Sequence, residues 1–472
     1  MNSSRLSLSS KLARGAMLCI LMAPTAGLAQ TDPCCDLQWE QVGAGTSVSS
    51  MMGVLALAEF DEGTGSGPSL FLGGEFFIGG GGLDIARWDG TALSVVGVAG
   101  QQPNGPVWSF ATFDDGMGED LYVGGEFTTV GGFTANGIAR WDGTSWSSSG
   151  GLVSGGGAVR ALAVFDDGTG PALYAGRGQG VGGFSGGLFK WNGTSWSAVS
   201  GLSSPSINAL QVFDDGSGSG PALFIAGSFT SISGTVYNDI VKWDGSTLTA
   251  LSGPSGTGSD GFILALEEFD PGITPFTSST RLYAGGDFDN AGGVLSNNIA
   301  SWAPSAWDDL TGASGTGVGG STQPFVSALE VFDDGSGSGA ALYAGGAFLT
   351  AGGMTALRVA RWDGMEWSAV GDGFDSNVAA LLAHDDGSGP ALYAGGFFSN
   401  SGSVAARGIA RLVACDPCRA DFDGDGVLTL FDFLAFQTAF TDMDPEGDFN
   451  CDGLFNTFDF LAYQDAFDDG CP

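Results

Sequence analysis

A four-part phrase recurs seven times between residues 37 and 414: an apolar run closing on FDDG or a near variant, then LYAGG-x-F, then IARWDG, then a Trp-Ser-x-Val-Gly segment. Its second part begins at Leu70, Leu121, Leu173, Leu223, Leu282, Leu342 and Leu392, a period of about 50–60 residues that suits propeller blades rather than helical arrays. Each copy holds four short β-type runs bounded by Gly, Asp, Ser and Asn, and four strands make one blade. With 83 glycines and no capped helical stretch in the repeats, residues 37–414 read as an all-β, seven-bladed β-propeller.

The ends of the array predict how it closes. The seventh copy stops at Ala414 without its Trp-Ser-x-Val-Gly strand, whereas Leu37 begins LQWEQVGAG, which is that strand. The expectation is that Leu37–Val42 pairs with Ile409–Val413, so that the N-terminal strand closes the propeller and removes an exposed sheet edge. The same alignment brings Cys34 and Cys35 beside Cys415 and Cys418, leaving Cys451 and Cys471 for the C-terminal segment. A disulfide across the closure would add about 4 kcal/mol in the chain-entropy model; zinc is the alternative, and the connectivity stays open.

Residues 1–29 read as a secretory signal peptide: Arg5, Lys11 and Arg14 precede the apolar stretch Ala16–Met22, and Gly27 and Ala29 fit a cleavage site before Gln30. No later stretch suits a membrane span, so the expectation is a secreted, extracellular or surface-associated protein whose cysteines meet an oxidising environment. The balance of 15 Lys and Arg against 52 Asp and Glu, net charge −37, argues against nucleic acid and anionic membrane as partners.

Residues 415–472 carry the most specific chemistry. DFDGDGVLTLFD places oxygen donors at Asp421, Asp423, Asp425 and Asp432, with the Val427 carbonyl and Thr429 between them and Gly426 at the sharp turn. The second copy, DFNCDGLFNTFD, repeats the spacing through Asp448, Asn450, Asp452, the Leu454 carbonyl, Asn456 and Asp459, with Gly453 at the turn. A hard cation that takes six to eight oxygens matches that set, so both loops are read as Ca2+ sites. An amphipathic segment follows each loop, with Phe433, Phe436 and Phe440 matched by Phe460, Tyr463 and Phe467 on one helical face.

This duplicated loop-helix unit resembles a dockerin, a small α-helical, calcium-folded module that attaches secreted proteins to cohesin domains. The resemblance implies a cohesin-like or other cell-surface protein partner. At loop positions ten and eleven, where that family commonly carries small hydroxyl residues, this chain has Leu430 and Phe431, then Thr457 and Phe458.

At the level of the repeat, residues 37–414 resemble Kelch and galactose-oxidase central-domain propellers. Oxidase chemistry does not carry over: the chain has one histidine, and none of its cysteines lies between residues 36 and 414. His384 takes the slot held elsewhere by Phe60, Phe113, Phe165, Phe213, Phe269 and Phe332, a packing position from which no nucleophile relay can be built. The paired acids, Asp114 and Asp115 through Asp385 and Asp386, recur at one hairpin and read as turn formers rather than a singular catalytic pair. The WDG tryptophans read as packing between blades, with stacking on a sugar ring as the alternative. Glu75, Glu126 and Asp287 vary against Ser228, Ala347 and Phe397 and allow a one-sided site, and the loops 252–260 and 312–322 are candidates for partner contact.

The sequence thus reads as a secreted, non-catalytic binding or surface-assembly protein with no catalytic residue assigned. The alternative is a polysaccharide-active enzyme, a glycoside hydrolase or lyase held by the same anchor.

Overall fold

The computed structural model describes residues 37–43, 48–65, 67–78, 82–152, 157–178, 186–203, 205–272, 280–303, 306–335, 339–413, 420–422, 427–443, 447, 449 and 455–469. The expected signal peptide and the six further cysteines, Cys34, Cys35, Cys415, Cys418, Cys451 and Cys471, lie outside these residues. The described chain is mostly β, with two helices near its C-terminus.

Seven four-stranded antiparallel sheets account for most of it. Numbered by their first strands, these begin at Val48–Phe60, Val107–Asp114, Val159–Asp166, Ser206–Phe213, Ile263–Phe269, Val326–Phe332 and Val378–Asp385. In the first six, the four strands follow one another in sequence. The seventh takes its fourth strand from the other end of the chain, where Trp39, Glu40 and Gln41 pair with Leu412, Arg411 and Ala410. The expected pairing therefore forms, over Trp39–Gln41. Trp39 does there what its counterparts in the fifth and sixth sheets do: its Nε1 donates to Val370 O at 3.3 Å, as Trp367 Nε1 donates to Leu310 O and Trp307 Nε1 to Leu251 O.

The first strand of each sheet touches that of the next, and the first strand of the seventh touches that of the first. Seven separate apolar cores fill the seams between neighbours. One, for example, joins Phe60, Phe71 and Ile85 of the first sheet to Val107, Leu121 and Val123 of the second, and another joins Val54, Leu72 and Trp88 to Ala391, Tyr393 and Ile409 across the seventh and first.

The first glycine of each LYAGG phrase explains how closely the sheets approach. A Cβ at Gly73 would lie 2.4 Å from Val107 Cγ1, one at Gly345 2.6 Å from Val378 Cγ1, and one at Gly395 2.6 Å from Val54 Cγ1. Glycine is needed there because a neighbouring sheet's valine occupies the space a side chain would take.

In the C-terminal segment, helices α1 (Leu430–Asp442) and α2 (Thr457–Asp469) enclose a small aromatic core in which Phe436 and Tyr463 stack face to face at 4.3 Å. Their equivalence in the duplicated sequence is reproduced in space as a contact between matched residues.

Candidate functional site

Every first strand contains a one-residue register shift at the same place, between Val54 and Ala56, Val107 and Ser109, Val159 and Ala161, Ile207 and Ala209, Ile263 and Ala265, Val326 and Ala328, and Val378 and Ala380. The residue inside each shift has no ladder partner, and such bulges re-aim side chains. All seven of these residues, Leu55, Trp108, Arg160, Asn208, Leu264, Ser327 and Ala379, line one cavity of about 260 Å³, together with Phe325, Asn377, Val378 and Phe397. Seven equivalent positions thus present seven side chains of differing chemistry to a common space.

Among the described residues no carboxylate lines this cavity, although the charge of Glu126 acts on Arg160 from outside its lining. Arg160 places its guanidinium 4.7 Å from the Trp108 ring centroid, and burial lowers its pKa. The buried Trp108 Nε1 meets no acceptor among the described residues. Asn208 is oriented by donation from Nδ2 to Ile263 O at 3.1 Å, and Ser327 Oγ donates to Val378 O at 2.6 Å. Of the variable positions singled out from the sequence, Phe397 reaches the cavity while Glu75, Glu126 and Asp287 are not in its lining.

The paired acids have divided roles. The first of each pair closes its hairpin: Asp114 Oδ1 accepts from Gly116 N and Gly118 N, and Asp166, Asp214, Asp333 and Asp385 accept likewise from the glycine two residues on. The second is tied to a tyrosine of the second strand or a basic residue of the third, and commonly to both. Asp167 accepts from Tyr174 Oη at 2.8 Å and Lys190 Nζ at 2.6 Å, and Asp386 from Tyr393 Oη at 2.7 Å with Arg411 at 3.3 Å. Asp386 also accepts from Trp88 Nε1 of the first sheet at 2.9 Å, as Glu62 accepts from Trp141 Nε1 of the second, so these acids bridge seams. These hydrogen bonds outweigh burial and hold the Asp167 and Asp386 carboxyls down to about 2. Their lasting charge answers a neighbouring cation, a structural role.

The WDG tryptophans Trp88, Trp141, Trp191, Trp243, Trp302 and Trp362 are buried in the seams, out of reach of a sugar ring. His384 is buried as well, with Nδ1 3.0 Å from Glu59 of the first sheet and its ring 5.7 Å from Tyr393. The loops expected to meet partners are pinned: Ser252 bridges Thr257, Ser259 bridges Ala291, and Ala313 N donates to the Glu366 carboxylate.

Two further acids were not singled out by sequence. Glu267 and Glu330 hold the same position in adjacent first strands, three residues beyond the bulge. Burial raises Glu267 to about 7, and burial followed by the charge of Glu267 raises Glu330 to about 8.

In the C-terminal segment, Asp421, Val427, Thr429, Asp432, Asn456 and Asp459 are described, whereas Asp423, Asp425, Asp448, Asn450, Asp452 and Leu454 lie outside the described residues. The two halves repeat one geometry. Thr429 N donates to Asp432 Oδ2 at 2.6 Å and Asn456 N to Asp459 Oδ2 at 2.7 Å; Phe431 N donates to Thr429 Oγ1 and Phe458 N to Asn456 Oδ1. Asp432 and Asp459 are fully buried. Burial, then the charges of Asp432 and Asp421, push the Tyr463 hydroxyl up to about 12, which puts both first-loop acids within electrostatic reach of one ring.

Among the described residues no three acidic, His or Cys side chains gather as a metal cage. The donor chemistry nevertheless fits Ca2+: residues 420–472 contain 13 acidic residues and no Lys, Arg or His, and buried carboxylates call for a compensating positive charge. Leu430, Phe431 and Phe458 are 69%, 70% and 63% exposed. No described helix is long and apolar enough to cross a membrane. No protein-family model matches this chain, and no curated protein matches it.

Proposed function

We propose that this is a secreted binding and surface-assembly protein, a closed seven-bladed propeller presenting one ligand cavity, followed by a calcium-binding, dockerin-like anchor. The observation that carries the binding role is the cavity where seven equivalent bulges bring together seven side chains of differing chemistry. A purely structural repeat has no use for such variety at one level while its seams keep the same residues. Closure is supported by the contact of the seventh sheet with the first and by the core between them. In the anchor, Asp421, Asp423, Asp425, Thr429 and Asp432 with the Val427 carbonyl, and their second-loop counterparts, would hold the ions. The ions supply the charge compensation that lets a core this small hold. The exposed Leu430, Phe431 and Phe458 form the docking face for a cohesin-like or other surface protein.

Glu267 and Glu330 favour a second reading, a polysaccharide-active enzyme, because a carboxyl held near neutral pH is what a general acid requires. One experiment separates the two. The full-length protein with Ca2+ is applied to a glycan array and incubated with the glycans retained. Retention without release of reducing ends supports the binding protein, turnover lost in Glu330→Gln establishes the enzyme, and neither retention nor turnover removes the propeller's glycan role.

A further inference from the structure

We infer that the shared cavity receives a single carboxylate-bearing sugar ring, a uronic acid at the end of a saccharide, with Arg160 as its anion-binding group; this rests on reading the β region as a ligand-binding scaffold. The first argument is charge. The chain has 52 acidic residues, yet among the described residues none lines the cavity and one arginine does. Arg87, Arg140, Arg361 and Arg411 each form an ion pair at a hairpin, whereas Arg160 has no carboxylate within 4.0 Å among the described residues. Partly withdrawn from water, with no carboxylate paired to it and the charge of Glu126 reaching it only from a distance, its guanidinium gains from an anion that enters the cavity.

The second argument is preparation. Stacking on Trp108 holds the guanidinium in place before any ligand arrives. The second strand of the same sheet makes room for it: a Cβ on Gly178 would lie 2.6 Å from Arg160 Cδ. The other copies carry Glu75, Glu126, Ser228, Asp287, Ala347 and Phe397 at that position, so the copy with arginine at its bulge is the copy with glycine opposite.

The remaining lining fixes the ligand class. Phe325 and Phe397 bring aromatic rings to the lining, and Asn208 and Asn377 bring amides, the first already donating to Ile263 O. A guanidinium, aromatic rings and amides together match a sugar that bears an acid. The volume of about 260 Å³ falls just under the range of about 300–1,000 Å³ for drug-sized ligands, which admits one ring rather than a chain. The net charge of −37 repels polyanions, so the acid is a terminal one on an otherwise neutral saccharide.

Full-length protein is titrated by calorimetry with glucuronate, galacturonate, glucose, galactose, benzoate and sulfate. The expected result is uronate binding at least ~10-fold tighter than the neutral sugar, and reduced at least ~10-fold by Arg160→Gln, as loss of a charge-assisted hydrogen bond implies. Phe397→Ala, at an exposed position, tests the site without burdening the fold and is expected to weaken binding severalfold. Equal binding of glucose and glucuronate, unchanged affinity in Arg160→Gln, or unchanged affinity in Phe397→Ala overturns the inference. Benzoate as tight as uronate shows a general carboxylate site, and sulfate as tight shows an adventitious ion only; either overturns the sugar assignment. Retention of neutral glycans on the array with no uronate binding sinks this inference while leaving the scaffold reading intact.

Discussion

Replacing Trp39 by alanine tests whether three residues at one end of the chain hold the β region together. Trp39 is 1% exposed, packs 4.7 Å from Phe374, and donates its Nε1 to Val370 O. Large-to-small replacement of a buried tryptophan costs about 3–5 kcal/mol, and the lost hydrogen bond adds about 1 kcal/mol. At about 2.1 cal/mol/K per residue, the roughly 380 residues of the β region unfold with an entropy near 0.8 kcal/mol/K. Trp39→Ala is therefore expected to lower the melting temperature by about 5–7 °C, followed by circular dichroism at constant Ca2+. Trp146→Ala, the same position in an internal sheet but without a hydrogen bond from its Nε1 among the described residues, should fall by about 4–6 °C. Glu40→Ala loses only a half-exposed pair with Arg411, worth about 0.2–1 kcal/mol, and should melt within about 1 °C of the parent. Amides of Ile409–Val413 should exchange faster in Trp39→Ala, since their outer neighbour is loosened. A Trp39→Ala protein melting within about 1 °C of the parent, with those amides still protected, refutes the idea that the N-terminal strand completes the seventh sheet.

Three other outcomes follow from the same geometry. Chelation should remove the helical signal of α1 and α2 while the β signal persists, and Asp459→Ala should reduce Ca2+ binding measured by calorimetry from two ions to one; two ions retained would refute the ligand assignment. Glu267 and Glu330 have folded pKa values near 7 and 8, above the ordinary glutamate value of about 4.3. Their protonation therefore favours the folded state below that ordinary value, and the contribution is lost as pH rises through 7 to 8; scanning fluorimetry should show the melting temperature of the Glu267→Gln, Glu330→Gln double variant falling less than the parent's between pH 5 and pH 8, and parallel curves would contradict the burial argument. Asp386→Ala strands Arg411, Tyr393 and Trp88 in the seam between the seventh and first sheets, and urea unfolding should show a loss of about 3–5 kcal/mol, against under about 1 kcal/mol for Glu40→Ala.

The repeat made the strand order and the N-terminal pairing legible, because LQWEQVG has the register of every other fourth strand and Trp39 needs the same carbonyl its counterparts in the fifth and sixth sheets find. By sequence both acids of each hairpin read as turn formers, with weak Ca2+ binding at the acidic turns as the alternative. The second acid's partners were in plain view, the Arg or Lys preceding Trp in the third strand at Arg87, Arg140, Lys190, Lys242 and Arg361, and Arg411 preceding Leu412, but separation in sequence hides a pairing that only the pleat of the sheet brings about. The ligand cavity was the least legible. Leu55, Trp108, Arg160, Asn208, Leu264, Ser327 and Ala379 have nothing in common as residues, so their equivalence shows only once each bulge takes them out of the ladder. The loops 252–260 and 312–322, rich in glycine and serine, invited a reading as contact loops. Their small residues also allow close packing: a Cβ at Gly258 would overlap the Asn238 carbonyl, and one at Gly317 would meet those of Ser296 and Asn297. For the Ca2+ loops, the spacing of donors in the sequence says more than the described residues, which hold half of the twelve positions.

The seven bulged residues belong neither to a strand ladder nor to the apolar cores recorded between sheets. Under the proposed binding role, recognition and scaffold divide within one strand: a substitution at Trp108 or Arg160 would change what the molecule accepts, and one a residue earlier, at Val107 or Val159, would disturb the core between sheets. Drift or deliberate randomisation at Leu55, Trp108, Arg160, Leu264 and Ala379 would then retarget the protein, whereas Asn208 and Ser327 also tie their sheets to the next through the carbonyls of Ile263 and Val378.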